Sequence, residues 1–202
     1  MDISYLKDNC FKTLIDIGAN NGEYGEFLRN IFNIDRVLAF EPLSEKLTTL
    51  KAKGFEVFPV ALSSDNGEAE FIVNRYDAAS SLRALTEITA TEWPDALETS
   101  VIKVKKSRLD DCIDGLVETP LIIKVDAQGN EAEIIDGGER VFSLAKVVLI
   151  ETCFVALYEK QLLFNEIHTR LTKLGFKLSG FKSQHIAKDG CPLFAHCIYT
   201  KS

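Results

Sequence analysis

Runs of apolar residues alternate along this chain with segments whose apolar residues recur at helical spacing. One helical pattern is "GEYGEFLRNIFN", in which one face is expected to hold Tyr24, Phe27, Leu28 and Ile31. The apolar runs are typical of strands and include "KTLIDIGA", "DRVLAFEP", "FEVFPVALS", "PLIIKVDAQG" and "AKVVLIET". Strands that are apolar on both faces and alternate with helices are typical of a parallel sheet covered on both sides. The pattern therefore predicts an α/β fold.

Two segments depart from this alternation. Residues 68–113 hold two strand-like stretches around a polar middle, and we interpret them as an insertion between the third and fourth sheet strands. Within the insertion, residues 76–99 are expected to form a lid at the carboxyl edge of the sheet. Near the end, "GFKLSGF" and "PLFAHCIYT" are predicted to pair as antiparallel strands. No repeat or linker divides the chain, so residues 1–202 are predicted to form one domain.

Composition and charge narrow the possible partners. The chain has 202 residues, of which 46% are hydrophobic, as in an ordinary globular protein. Its net charge of −7 disfavours nonspecific binding to nucleic acids or anionic membranes. No apolar run reaches the roughly 18 residues of a membrane span, and the start "MDISYLKDNCF" does not resemble a signal peptide. A cytoplasmic protein without a membrane span or a nucleic-acid partner is therefore expected.

The cysteines favour reduced thiols over a disulfide scaffold. There are five, scattered along the chain and without a C-x-x-C pair. Zinc deserves consideration only near the end, where His185, Cys191, His196 and Cys197 are close in sequence. Their spacing matches no common zinc pattern, and adjacent strand residues such as His196 and Cys197 point to opposite faces. We therefore expect no zinc site.

The stretch "DIGANNG" carries the first chemical signal. Asp16 lies within an apolar strand, where a carboxylate costs free energy unless the protein or a ligand supplies a partner. Gly18 lets the backbone approach a ligand, although the dinucleotide fingerprint G-x-G-x-x-G is not met. Glu41 ends the next strand, where a carboxylate can accept hydrogen bonds from ribose hydroxyls. A nucleoside joined to a cationic amino-acid tail fits these residues, so S-adenosylmethionine is expected and NAD fits less well.

Several motifs in fixed order identify a family resemblance. The motifs "DIGANNGEYG", "LAFEP", "VALSSDNGEAEF", "SRLDDCI" and "IIKVDAQGNEAEIIDGG" resemble the successive signatures of the FkbM family of S-adenosylmethionine-dependent methyltransferases. The resemblance spans residues 13–138 and continues through "VVLIET" to Thr152. It implies a class I methyltransferase fold, Rossmann-like, with seven mostly parallel strands, helices on both faces and the last strand antiparallel. It also implies methyl acceptors that are hydroxyl oxygens of sugars or natural products.

The same resemblance implies a set of cofactor-binding residues. Glu41 is assigned to the ribose, and Ala61 with Leu62 to the border of the adenine. Gly25 departs from the family pattern, in which serine or threonine is frequent, so one side-chain contact to the cofactor is in doubt. Assigned to the methionine part of the cofactor are Asp16, Gly18, Asn20 and Gly22.

Catalytic candidates lie at the ends of two later strands. Strand alternation places Lys124 and Asp126 on one face, and Glu151 ends the next strand. These three residues are predicted to align the acceptor and remove its proton, or alternatively to form a charge network that fixes the strand ends. Other candidates for acceptor contact or catalysis are less specific and equally compatible with packing: His168 in a helix, His185 in a loop, Tyr158 and Trp93.

We expect a metal-free reaction. Asp126 and Asn130 could both ligate a cation and Glu151 could complete such a site, but no second carboxylate follows Asp126 in the turn before the helix that begins at Glu131. The predicted function is methyl transfer from S-adenosylmethionine to a hydroxyl of a sugar, glycan or natural product. Two alternatives stay open: a nicotinamide-dependent Rossmann-type oxidoreductase, and a noncatalytic module that binds S-adenosylmethionine.

Overall fold

The computed structural model describes residues 3–96, 98–113, 115 and 117–201. The strands are β1 Thr13–Ile17, β2 Arg36–Phe40, β3 Glu56–Phe58, β4 Ala61–Leu62, β5 Gly67–Asn74, β6 Glu98–Ser107, β7 Leu121–Val125, β8 Ala145–Cys153, β9 Lys177–Ile186 and β10 Pro192–Thr200. The α-helices are α1 Glu23–Phe32, α2 Ser44–Ala52, α3 Glu87–Glu92, α4 Leu109–Cys112, α5 Glu131–Asp136, α6 Glu139–Leu144 and α7 Phe164–Lys173. Short 3₁₀ helices span Ser4–Asn9 and Asp77–Ala79.

Seven strands form the main sheet in the order β3-β2-β1-β7-β8-β10-β9. The first five are parallel to one another, whereas β10 runs antiparallel to both of its neighbours. The expected seven-stranded, mostly parallel sheet with an antiparallel last strand is therefore confirmed. Strand order reverses next to β1, and in open α/β sheets such a reversal marks the ligand-binding crevice at the strands' carboxyl ends.

The core lies on both faces of this sheet because the central strands are apolar on both sides. In β1, Leu14 packs with Leu28 of α1 and Leu50 of α2 on one face. Its neighbour Ile15 faces the other side, where the cluster includes Ile134 of α5. Burial of two apolar faces stabilises the centre of the sheet and fixes where each strand ends.

The third predicted strand is wrong in one respect, because residues 55–63 do not form a single strand. Pro59 has no backbone N–H to donate, and the chain leaves the main sheet at this position. The part before it, β3, pairs with β2, whereas β4 pairs with β6 in a second sheet of order β4-β6-β5. Most of the predicted insertion lies in this second sheet and in the segment between β5 and β6.

β9 extends to Ile186, so the prediction that His185 lies in a loop is wrong. Within the described residues, the structure contains no helix that is long and apolar enough to cross a membrane.

Candidate active site

Three cavities meet at the carboxyl edge of the main sheet, and Asp126 lines all of them together with Ala78. The first cavity is lined by Glu41, Ala61 and Leu62. The second, about 350 Å³, is lined by Gly18, Asn20, Tyr24, Lys124 and Lys182. The third, about 280 Å³, is lined by Trp93, Tyr158, His185, Glu151 and His196. A molecule in the first two cavities would thus meet a molecule in the third at Asp126.

Glu41 is held rigidly at the wall of the first cavity. Its Oε2 accepts a hydrogen bond from the backbone N–H of Asn20 at 2.8 Å, and its Oε1 accepts one from Leu43 at 2.9 Å. Burial raises the pKa of this carboxyl, and the two backbone bonds act in the opposite direction. Each carboxylate oxygen has a further lone pair, so Glu41 can still accept bonds from a diol.

The turn after β1 requires glycine at position 18 for two reasons. The backbone φ of Gly18 is +67°, a left-handed conformation that disfavours other residues. A Cβ atom there would lie 1.8 Å from the carbonyl oxygen of Asp126. The β1 and β7 turns therefore touch through Gly18, which keeps the first two cavities open beside Asp126.

Asp16, the carboxylate within β1, has a partner inside the protein. Asp16 is 1% exposed, and its Oδ1 lies 3.1 Å from the Nζ of Lys124, which is also buried. The Lys124 ammonium donates to the carbonyl oxygens of Ile17 and Gly18 as well. The Asp16 side chain is enclosed behind the cavity by this ion pair, and its predicted contact with the cofactor stays a prediction.

The other residues assigned to the cofactor fall into two groups. Gly18 and Asn20 line both the first and second cavities, and Ala61 with Leu62 lines the first. Gly22 is not among the residues that line either cavity, and its assignment to the cofactor stays a prediction. A Cβ on Gly22 would lie 2.7 Å from Leu50 and 2.9 Å from Phe55, so this glycine serves packing behind the turn.

Gly25 has a local explanation in this structure. A Cβ atom at Gly25 would lie 2.3 Å from Oδ2 of Asp16. The absent side chain therefore leaves room for the buried carboxylate that pairs with Lys124. A serine or threonine at this position would require Asp16 to shift.

Lys124 is buried among carboxylates. Burial opposes its charge, but the carboxylates of Asp16 and Asp126 outweigh that effect and raise the pKa of Lys124. A lysine that stays protonated cannot accept a proton from an acceptor. Of the two predicted roles, the charge network at the strand ends fits Lys124 better than catalysis.

Asp126, Glu151 and His196 converge on one point in the third cavity. His196 Nε2 lies 3.4 Å from Glu151 Oε2 and 4.0 Å from Asp126 Oδ2. The amide of Gln128 donates to Asp126 Oδ1 at 2.5 Å and to Glu151 Oε1 at 3.4 Å, so it holds the two carboxylates side by side. The structure thus brings together two of the three predicted catalytic residues and adds His196.

Burial raises the pKa of two acids at this site, Glu151 in the cluster and Glu131 near it. Burial, followed by the charges of Asp126 and Glu131, raises the pKa of Glu151 well above its ordinary value. Burial likewise raises the pKa of Glu131 to about 7. The pKa of His196 is lowered, mainly by burial, so its imidazole is neutral near pH 7.

The far wall of the third cavity is aromatic. The ring of His185 lies 4.9 Å from Trp93 and 5.2 Å from Phe194, where it stacks. Such a wall suits the apolar face of a ring-shaped ligand. Trp93 belongs to the predicted lid, and the described part of that segment does lie over this cavity, anchored by Thr89, which donates to the carbonyl oxygen of Leu157.

The remaining candidates have structural partners. His168 lies on α7 as predicted, and its Nδ1 is 3.2 Å from the hydroxyl of Tyr199. Tyr158 lines the third cavity and its hydroxyl donates to Gln128. Cys197 points to the other face of β10 from His196, as predicted, and its thiol contacts the hydroxyl of Thr152.

Sequence reasoning missed three contributors to the site. Asp77 lines the first two cavities and pairs with Lys46, but it lies in the irregular part of the insertion, where spacing carries no signal. Gln128 follows the strand end and could have been found from the turn "DAQG". His196 could have been found from antiparallel register, because it is the direct partner of Glu151.

The geometry suits a nucleoside with an amino-acid tail in the first two cavities. Apolar residues and Glu41 line the first cavity, as a base and a ribose require. The second cavity presents Lys124 and Lys182 as well as Asp77 and Asp126, so both charges of a zwitterion would find counter-charges. A Rossmann-like sheet with adjoining cavities of this kind is compatible with the methyltransferase class.

Comparison with known proteins also indicates a methyltransferase. The family model described as Methyltransferase FkbM domain matches residues 16–178. The chain belongs to this family, and its cofactor is S-adenosylmethionine. A relative, the 2-O-methyltransferase NoeI of Sinorhizobium fredii, is 25% identical over 163 residues, which are 74% of this chain and 66% of the relative.

Solved structures show the same fold. The methyltransferase FkbM from Methylobacillus flagellatus has a TM-score of 0.58 at 15% identity, and 95% of this chain matches 44% of that one. A putative S-adenosylmethionine dependent methyltransferase from Listeria monocytogenes has a TM-score of 0.52 at 11% identity, covering 98% of this chain and 96% of that one. The chain thus spans less than half of the first protein and nearly all of the second.

Proposed function

We propose that this protein transfers a methyl group from S-adenosylmethionine to a hydroxyl oxygen of a small-molecule or glycan acceptor. The observation that carries the proposal is the position of Asp126, where the cofactor cavities and the third cavity meet. The third cavity is the acceptor site in this account. Residues 1–202 would act as one catalytic domain, with the insertion at about 68–113 supplying one wall of that site.

The cofactor supplies a methyl group whose bond to the sulfonium sulfur breaks, with its electrons, as a bond to the acceptor oxygen forms. The protein must align that oxygen and accept or relay the hydroxyl proton. Asp126 is placed for alignment, and Glu151 lies beside it on the acceptor side. Lys124 would support both by holding the turn after β1 in place.

Oxygen as the acceptor atom has two lines of support. The relative NoeI is described as a 2-O-methyltransferase. The acceptor site also combines an aromatic wall with carboxylates, an arrangement that suits a sugar ring with its apolar face and hydroxyls. The net charge of −7 gives no support to a nucleic-acid acceptor.

The two alternatives are less well supported. A nicotinamide-dependent oxidoreductase does not agree with membership of a methyltransferase family. A noncatalytic module would not require the convergent carboxylates of Asp126 and Glu151 beside the cofactor cavities. Methyl transfer therefore explains more of the site than either alternative.

A labelled-methyl assay tests the proposal. The protein is incubated with S-adenosylmethionine that carries a deuterated methyl group, together with a panel of mono- and disaccharides and glycans from a bacterial lysate. Mass spectrometry and NMR should find the labelled methyl on an oxygen. Label on nitrogen would contradict the assignment to oxygen, and cofactor binding without transfer to any acceptor would favour the noncatalytic module.

A further inference from the structure

Two carboxylates and one imidazole converge beside the cofactor cavities and leave one side open to the third cavity. One potential ligand atom from each of Asp126, Glu151 and His196 lies within 4.8 Å of the other two. We propose that these three atoms bind a divalent metal ion, and that the acceptor hydroxyl coordinates this ion in the reaction. The inference deepens the proposed function and rests on it for the role of the acceptor.

The distances are close to those of a metal site. Ligands on adjacent corners of an octahedron, each about 2.1 Å from the ion, lie about 3 Å apart. His196 Nε2 is 3.4 Å from Glu151 Oε2 and 4.0 Å from Asp126 Oδ2. Both separations from His196 Nε2 are thus within about 1 Å of the spacing of adjacent ligands. Three protein ligands leave positions open for water and for an acceptor oxygen, as in catalytic metal sites.

The residues around the cluster fix the orientation that such a site requires. Gln128 donates to the far oxygens, Asp126 Oδ1 and Glu151 Oε1, so the near oxygens face His196. Tyr158 donates to Gln128 Oε1 at 2.6 Å and thereby fixes which end of the amide faces the carboxylates. Such outer partners orient ligands and tune affinity in metal sites.

His196 is oriented in the same manner. Its Nδ1 lies 3.0 Å from the hydroxyl of Ser183 on the adjacent strand, which leaves Nε2 directed at the carboxylates. A metal-ligating histidine usually has its second ring nitrogen in a hydrogen bond of this kind. The cross-strand pairing of His196 with Glu151 fixes the spacing of the two ligands through the backbone.

The buried carboxylate supplies an independent argument. Glu151 is 8% exposed, and among the residues that the structure describes its Oε2 accepts no hydrogen bond. A carboxyl buried beside Asp126 can stay ionised only where a positive charge compensates it. Lys124 does not supply it directly, because its ammonium pairs with Asp16 and two carbonyl oxygens. A cation at the open point would compensate both carboxylates.

The proposal revises the expectation of a metal-free reaction. That expectation counted Asp126, Asn130 and Glu151 as possible ligands. The structure turns Asn130 away, since its amide donates to the carbonyl oxygen of Leu62 at 2.8 Å, and it adds His196 instead. A bound ion would lower the pKa of a coordinated hydroxyl, so that its proton leaves to water as the oxygen takes the methyl group. Asp126 then orients the acceptor through the ion.

The test uses Mn²⁺ as the probe, because its paramagnetism reports both binding and ligand identity. The full chain is treated with EDTA, freed of chelator and titrated with Mn²⁺ while electron paramagnetic resonance measures the free ion. We expect one saturable site. Glu151→Gln and His196→Gln should each weaken it by about tenfold or more. The matched controls Glu139→Gln, on an exposed side chain, and His168→Gln, on α7, should leave it unchanged.

A second measurement needs no variant. Pulsed resonance of the Mn²⁺-loaded wild type should show a directly coordinated imidazole nitrogen. Absence of saturable binding, absence of the nitrogen signal, or equal affinity in folded His196→Gln would overturn the proposal. Calorimetry with S-adenosylmethionine on the same samples separates the two hypotheses. Cofactor binding without Mn²⁺ binding removes the metal and keeps the methyltransferase, whereas absence of cofactor binding contradicts the proposed function itself.

Discussion

His196 and Glu151 are register partners across the antiparallel strands β10 and β8, and their side-chain atoms Nε2 and Oε2 lie 3.4 Å apart. Asp126 directly follows β7, and Glu151 lies in β8, which is parallel to β7. The antiparallel strand β10 places His196 beside them. The third cavity is therefore lined by residues of both the parallel and the antiparallel strands.

Asp126→Asn should retain cofactor affinity and lose turnover. The substitution keeps the shape of the side chain but removes its charge, whether Asp126 acts directly or through an ion. Proton removal and alignment by such a group contribute about 10²–10⁴-fold, so turnover on an acceptor found by the labelled-methyl assay should fall by that factor. Asp136→Asn, in an exposed ion pair with Arg170, is the matched control. Full activity in Asp126→Asn would reject its role.

Glu41→Ala should weaken binding of S-adenosylmethionine by about tenfold or more, because hydrogen bonds to a charged group contribute about 1.5–3 kcal/mol. Isothermal titration calorimetry measures the change, and a melting curve establishes that the variant is folded. This check is needed because Glu41 also accepts bonds from Asn20 and Leu43. Glu45→Ala, exposed on α2, should bind normally. Unchanged affinity in folded Glu41→Ala would remove Glu41 from the ribose site.

Gly18→Ala should destabilise the fold far more than Gly54→Ala. Both glycines have positive φ, +67° and +78°, so both alanines carry a backbone penalty of roughly 1–2 kcal/mol. Only Gly18 adds a clash, since its Cβ would lie 1.8 Å from the Asp126 carbonyl oxygen, whereas nothing lies within 4 Å at Gly54. Urea unfolding should show a loss of at least about 3 kcal/mol for Gly18→Ala. Equal losses would show that the two turns do not touch.

Glu131 should make the protein less stable as pH rises. Burial raises its folded pKa from 4.5 to about 7, so between these values the folded chain holds a proton that the unfolded chain releases. The free energy of unfolding that protonated Glu131 contributes is fully present below about pH 4.5 and is lost as pH rises through about 7. Glu131→Gln keeps an oxygen for the N–H groups of Ala127 and Gly129 and removes the charge.

Denaturation in EDTA at pH 4.5 and pH 8 measures this effect. Glu131→Gln should match the wild type at pH 4.5 and exceed it at pH 8, by on the order of 3 kcal/mol. Glu139→Gln, exposed at the start of α6, should follow the wild type at both values. A Glu131→Gln variant that is less stable than the wild type at pH 8 would show that the carboxylate is ionised and stabilising in the fold.

The sequence predicted the main sheet because its signals are local. Continuous apolar runs define buried parallel strands, and glycine at position 18 marks the turn that closes on Asp126. The split at Pro59 was not foreseen, because a proline can also be accommodated at the edge of one strand.

The site was harder to predict where it depends on pairing between distant strands. Asp16 looked like a ligand contact because its partner, Lys124, lies 108 positions later and is brought close only by the pairing of β1 with β7. His196 was considered only as a zinc ligand, because its pairing with Glu151 becomes visible only once the register of β10 against β8 is known.

Calorimetric titration with S-adenosylmethionine, its demethylated product and NAD tests the central claim most directly. The cavities that meet at Asp126 should bind the first two and not NAD, and saturation at about 100 times Kd should add roughly 2.7 kcal/mol to the free energy of unfolding. Binding of NAD without binding of S-adenosylmethionine would contradict the account.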